Sequence, residues 1–158
     1  MPKIEVFENK KLVLRNVLKR ELKNIRIEDL NEDLGKFGML LNKLAVQTFG
    51  PLVIKNCGAN ITNEGTMMMD YDLLIQAHNH NAYKSAFKPI ERLEVPHCIY
   101  ARFEGNPEDV GFAHAKLDLF FYENDLQQTG EVYSVMVEDS KAFSVIDIFK
   151  PVIHYETL

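Results

Sequence analysis

The sequence states one order of elements twice, and that repetition limits the folds open to it more than any single motif does. The first statement begins with the strand-like "KKLVLRNVL" and continues with "IEDLNEDLGKFGMLLNKLAVQTF", where Ile27, Leu30, Leu34, Phe37, Leu41 and Leu44 recur at three and four residues. That spacing predicts an amphipathic helix. Gly50 and Pro51 read as its stop, "PLVIKNCGA" as a strand, "NITNEG" as a polar turn and "TMMMDYDLLIQA" as another strand. The second statement opens with the strand "VPHCIYARFEG". Asn106 then offers an N-cap, Pro107 suits the first helical position, and Glu108 and Asp109 complement the positive end of a helix dipole. Val110, Ala113, Leu117 and Phe120 or Phe121 supply an apolar stripe, and Gly130 the stop. Two strands, "EVYSVMVED" and "AFSVIDIFKPV", follow around a short turn at Asp139 to Lys141.

A helix with one apolar face must bury it, and two βαββ units do so by laying both helices on a shared sheet. The expected fold class is therefore α+β: duplicated βαββ units forming one antiparallel sheet, with two helices packed on one face. The first half runs over about residues 10–78, a polar connector over 79–92, and the second half over about 93–153. A length of 158 residues suits one domain, 1–158.

One residue breaks the apolar pattern. In "AFSVIDIFKPV" a strand period of two places Phe143, Val145, Asp147 and Phe149 on one face, and Ile146, Ile148 and Val152 on the other. A carboxylate among rings and aliphatic groups costs several kcal/mol unless it is paired, wetted or reserved for a ligand.

Charge narrows the function. The net charge of -5 argues against a nucleic-acid partner, which would need clustered Lys and Arg. The one basic run, "LRNVLKRELK", reads as a solvated strand edge whose lysines discourage edge-to-edge pairing. No apolar run approaches the ~20 residues that span a bilayer, and "MPKIEVFENKK" lacks the apolar centre of a signal peptide, so a cytoplasmic location is expected. Cys57 and Cys98 read as two buried thiols rather than a disulfide. There is no Gly-x-Ser-x-Gly turn and no Gly-rich phosphate loop. No cofactor is expected. His78 and His80, two apart on a strand, lack the third ligand that a metal site needs, and none is assigned.

Two stretches resemble a known family, the GyrI-like small-molecule-binding domain, also called the bacterial transcription activator effector-binding domain. "IDIFKPV" is similar to its closing pattern of an acid, an aliphatic residue, an aromatic, any residue, then Pro and an aliphatic. "YARFEGNPEDVGFAHAKL" resembles the place where a strand ends in Gly and a helix begins. The resemblance implies a duplicated βαββ fold with a cleft between the halves, and a role in binding amphipathic, often cationic, small molecules. It places the family's cleft acid, typically Glu, at Asp147, one methylene shorter. Larger members carry a DNA-binding helix-turn-helix module, for which 158 residues leave no room. Stand-alone members include gyrase-inhibitor-like proteins acting by protein contact, and hydrolases of strained toxic compounds.

Asp147 with Phe143, Phe149 and nearby Tyr133 would hold a lipophilic cation by charge and ring faces together. The competing reading is an ion pair with Lys150, Arg102 or another base. Asp70 and Asp72 occupy the corresponding place in the first half, with Met67 to Met69 as adaptable surface or as core filler. Tyr71, Tyr100, Tyr122 and Tyr133 are candidate walls or core. The expected function is non-enzymatic capture of a small molecule by Asp147, Tyr100, Tyr133, Phe149, Tyr71 and Asp72. The alternatives are a protein-interaction module with a vestigial cleft, contacting a partner through edge strands or acidic loops, and a hydrolase using Asp147 as base. An internally paired Asp147 favours the interaction reading, and an unpaired one facing a pocket favours ligand capture.

Overall fold

The computed structural model describes residues 1–153. Its order is β1 (Lys3–Ile25), α1 (Leu30–Lys43), β2 (Thr48–Ile61), β3 (Met67–Ala77), β4 (Lys88–Gly105), α2 (Val110–Glu123), β5 (Val132–Asp139) and β6 (Ser144–Pro151). All strand pairings are antiparallel, and the order β1-β3-β2-β5-β6-β4 returns to β1. The fold is α+β, six antiparallel strands and two helices built from duplicated units.

The duplication is visible in the hydrogen-bond register. Leu30 and Val110 begin the two helices 80 positions apart, and Lys43 and Glu123 end them at the same offset. Applying that offset to the pair Val13 with Glu94 gives Leu93 with Leu14, which is also a pair. Val53 with Val135 likewise becomes Tyr133 with Lys55. A pseudo-two-fold axis therefore passes between β1 and β4 and again between β2 and β5.

Both helices stop by one device, and it is not the expected glycine. Ala45 and Asp125 adopt left-handed backbone, with φ of 52° and 53°. Val46 N–H then donates to Leu41 O, and Leu126 N–H to Phe121 O, satisfying carbonyls that the helix ends leave open. Gly130 lies beyond the end of α2, and Gly50 and Pro51 belong to β2. Helix α1 is also shorter than its periodicity predicts: Ile27 sits in a 3-10 turn and Leu44 caps the C-terminus, both exposed. The start of α2 follows the sequence, with Asn106 Oδ1 accepting from Glu108 N–H at 2.9 Å.

β1 is longer than its apolar part, because "LRNVLKRELK" continues the strand instead of forming a free edge. Val17 pairs with Gln76 of β3 on one side and Ile90 of β4 on the other. Val17 and Leu18 are both fully buried, while Arg15, Arg20 and Lys23 are exposed and Lys19 and Glu21 half-buried, so the charges of the run lie outside the core. β4 begins at Lys88 and so takes in part of the polar stretch expected to be a connector.

Three apolar clusters hold the molecule. Ala113, Leu117 and Phe121 of α2 seat on Ile99, Ala101, Phe103, Ile146 and Ile148. Phe37 of α1 seats on Leu18, Leu73, Ile75, Ala77 and Phe87. Burying a Leu or Phe of this kind is worth about 1.5–3 kcal/mol over leaving it exposed. The opposite face of the sheet, between the halves, carries Leu12, Leu14, Val17, Val53, Leu74, Val95, Cys98, Tyr133 and Val135. Much of the space between the two halves is therefore filled by core. Cys57 and Cys98 are free thiols.

Candidate functional site

Asp147 sits at the middle of β6, where β4 supplies Arg102 and Tyr100 on the same face. Arg102 Nε donates to Asp147 Oδ1 at 2.8 Å and Nη2 to Oδ2 at 2.9 Å, while the Tyr100 hydroxyl donates to Oδ1 at 2.6 Å. Of the alternatives open in the sequence, the carboxylate has taken an internal ion pair, and its base is Arg102. Lys150 points to the other side of β6 and pairs with Asp118 of α2. The Asp147 side chain is 14% exposed and that of Arg102 39%. The acid is the drier partner and the guanidinium faces outward.

Each group adjusts the other. The hydrogen bond to Asp147 holds the Arg102 guanidinium protonated more firmly than usual, against a smaller opposing effect of burial. Burial, then the hydrogen bond to the Asp147 carboxylate, pushes the Tyr100 hydroxyl up to about 12. Tyr100 is thus a proton donor that stays protonated.

The rings around this pair form a stack. Tyr100 lies on Phe149 with centroids 4.8 Å apart and planes 25° from parallel, and Phe7 of β1 lies on Tyr100 at 5.7 Å and 21°. Phe7 is 41% exposed, so the stack runs from half-buried Phe149 to open surface. Glu5, Phe7, Lys10, Tyr100 and Arg102 line a cavity of about 270 Å3 at that end. Phe7, Glu5 and Lys10 are the participants that the sequence pattern did not mark. Their signal was a strand N-terminal to the apolar run, which reads as a polar tail until its pairing with β4 is known.

The remaining candidates are placed differently. Tyr133 pairs with Phe149 in register but is 3% exposed, within the core cluster, with Lys55 Nζ 5.5 Å from its ring centroid. Phe143 precedes β6 and is exposed. Tyr71 is buried and, by strand alternation, faces away from Asp72 on the same side as Leu73 and Ile75. Tyr122 is 85% exposed on the outside of α2.

Asp72 is the pseudo-symmetric counterpart of Asp147. It is 6% exposed, its Oδ1 has no hydrogen-bond partner, and its Oδ2 lies 4.0 Å from Lys55 Nζ. Lys55 gives its short contact, 2.8 Å, to Glu131 instead. Burial pulls the Lys55 ammonium down, but the hydrogen bond to Glu131 and the neighbouring Tyr133 outweigh it and raise it above the usual lysine range. Asp70 is structural: its Oδ1 accepts from Asn24 N–H at 2.8 Å, holding the bulge where the β1–β3 register shifts.

His78 and His80 do not share a face, one being exposed against Phe49 and the other buried in a 3-10 turn. Among the described residues no three His, Cys, Asp or Glu side chains come together as metal ligands. No helix among them is long and apolar enough to cross a membrane.

No family model matches the chain, and no curated protein matches it. Solved structures do. The C-terminal domain of EcmrR superposes with a TM-score of 0.62 at 11% identity, over 98% of this chain and 99% of that one. A hydrolase from Listeria innocua gives 0.57 at 13% identity, over 96% and 92%. SAV2435, solved bound to tetraphenylphosphonium, gives 0.51 at 8% identity, over 96% and 94%. At these identities the likeness is one of fold, and the fold is that of the GyrI-like effector-binding domain which the sequence resembles.

Proposed function

We propose that the chain binds a small amphipathic molecule at the open end of the Phe7–Tyr100–Phe149 stack, beside the Arg102–Asp147 pair. The observation that carries this reading is the juxtaposition of an exposed ring, a protonated tyrosine and a fixed ion pair around one cavity. Rings supply apolar contact, and a few convergent polar groups fix orientation, as small-molecule sites require. Asp147 then acts through Arg102 and Tyr100 as the anchor of the site's floor. A bare counter-ion it is not, since both its oxygens already accept hydrogen bonds. The same engagement counts against Asp147 as the base of a hydrolase, which must reach a substrate proton. Tyr133 supports Phe149 from the core, Asp72 belongs to the other half's charge cluster, and Tyr71 lies on the opposite side of β3.

The test is a titration of the full chain with small aromatic compounds of both charges, followed by the NMR signals of the Phe7, Tyr100 and Phe149 rings. The expected result is saturable shifts in these three rings, lost in Phe7→Ala with the melting temperature kept within a few degrees. Shifts scattered over the surface, or none, would remove the reading.

The internal pairing of Asp147 with Arg102 counts towards the protein-contact reading, and a second observation joins it, which is not an edge strand, because every strand among the described residues has two neighbours. Phe112, Leu119 and Tyr122 stand exposed at 63%, 54% and 85% along the outer side of α2. Their replacement by polar residues would leave the ring titration unchanged and would abolish any association that uses this face.

A further inference from the structure

We infer that the cavity at the end of the ring stack selects a small aromatic anion, a planar ring bearing a carboxylate or sulfonate, over a lipophilic cation; the inference rests on the ligand-binding reading above. The selection follows from which charged groups at the cavity and beside it are already paired. Glu5 lies 3.5 Å from Lys3 Nζ, which it shares with Glu104 at 3.8 Å, and faces Arg102 in register across β1 and β4. Asp147 is answered by Arg102 in two hydrogen bonds. Lys10 is left over: among the described residues it makes no ion pair, and its Nζ lies 5.6 Å from the Phe7 centroid, over the outermost ring.

Donors outnumber acceptors in the same place. A guanidinium carries five N–H groups, and Arg102 gives two of them to Asp147. A lysine carries three more, and Lys10 also lines the cavity. An incoming cation would have to displace a bidentate guanidinium and a tyrosine hydroxyl before it met an unspent carboxylate oxygen of Asp147. An incoming anion meets donors at once, with Phe7 and Tyr100 for its ring. The volume of about 270 Å3 lies just below the range of drug-sized ligand sites, about 300–1,000 Å3, which limits the ligand to one or two rings.

The test uses a pair of probes matched in shape and opposite in charge, naphthalene-2-sulfonate and trimethyl(2-naphthyl)ammonium. Each is titrated by calorimetry at constant ionic strength into the full chain and its Lys10→Gln and Lys10→Glu variants. Lys10 is exposed and makes no ion pair among the described residues, so both variants keep the fold, which a melting curve verifies. The sulfonate is expected to bind the parent more tightly than the ammonium. Lys10→Gln should weaken the sulfonate about 2–5-fold, the size of one exposed charge contact, and Lys10→Glu should narrow or reverse the preference. Preference for the ammonium in the parent, or sulfonate affinity indifferent to residue 10, overturns the inference and leaves ligand binding at the stack intact. Binding of neither probe overturns both.

Discussion

Removing either partner of the Arg102–Asp147 pair should be costly to unequal degrees, and the inequality follows from which partner is dry. Arg102→Met strands a carboxylate whose side chain is 14% exposed, leaving it only the Tyr100 hydroxyl. Loss of one partner from a fully buried pair costs about 3–5 kcal/mol, and a hydrogen bond to a charged group is worth about 1.5–3. Because the Arg102 side chain is 39% exposed, the pair is partly screened, and the expected loss falls to about 2–3 kcal/mol. Asp147→Asn strands the wetter partner instead. Its guanidinium can turn to water, so about 1 kcal/mol is expected. For a chain of this size each kcal/mol moves the melting temperature by about 2–4 °C. Thermal melts should therefore drop by about 4–12 °C for Arg102→Met and about 2–4 °C for Asp147→Asn. If Asp147→Asn proves the more damaging, or Arg102→Met costs nothing, then the carboxylate is not held dry by Arg102 and the account of the site's floor fails.

Three further outcomes are expected. Gly50→Ala should lower stability by about 1 kcal/mol in urea titrations, because φ is +75° there, a conformation that strains any side chain; an unchanged midpoint would contradict this. Asp118 is pushed up by its partial burial but more strongly down by hydrogen bonds from Lys150 and Gln128, so its folded pKa lies below the usual 3.8. Its stabilising contribution is then present above about pH 4 and lost as pH falls through the lowered value; acid titration of Asp118→Asn should lack this component, and identical acid profiles would refute it. Burial, and then the neighbouring Asp72, push the Cys57 thiol up to about 11, so at pH 8 only about one molecule in a thousand is thiolate and iodoacetamide labelling should be far slower than for a free thiol.

What the sequence made legible was whatever periodicity and capping encode locally. The βαββ order, the helix stripe through Ala113, Leu117 and Phe121, and the Asn106 cap all depend on residues within one or two turns of each other. The helix ends escaped notice because Ala45 and Asp125 take left-handed backbone without the glycine that usually announces it. The edge assigned to "LRNVLKRELK" failed for a different reason. Lysines in a strand mark a solvated face as readily as an exposed edge, and only the pairing of β1 with both β3 and β4 separates the two. Asp147 was visible as an anomaly, and Arg102 among its potential bases, but the choice between Arg102 and Lys150 rests on which side of β6 each occupies in three dimensions. Phe7 and Lys10 were invisible because nothing local joins them to residues about a hundred positions away.

The pseudo-two-fold explains why the two halves no longer offer equivalent sites. Asp72 and Asp147 are matched positions, each flanked by a strand of the central seam: Lys55 of β2 stands opposite Asp72, and Val135 of β5 stands opposite Asp147. In the first half the base therefore comes from the seam itself, where it is held by Glu131 and covers the Tyr133 ring, closing that side with charge. In the second half the seam position is aliphatic, so the acid must draw its base from β4, on the strand that also carries Tyr100 and lies beside Phe7. That exchange moves the positive charge from the β2–β5 seam to β4, next to an exposed ring and a cavity. Exchanging the seam residues, Lys55→Val together with Val135→Lys, should shift the internal partner of Asp147 from Arg102 towards residue 135 and release Arg102 to solvent. The Arg102→Met penalty in that background should then shrink towards the ~0–1 kcal/mol of an exposed charge. A penalty as large as in the parent would show that Arg102 holds Asp147 for reasons other than the missing seam base.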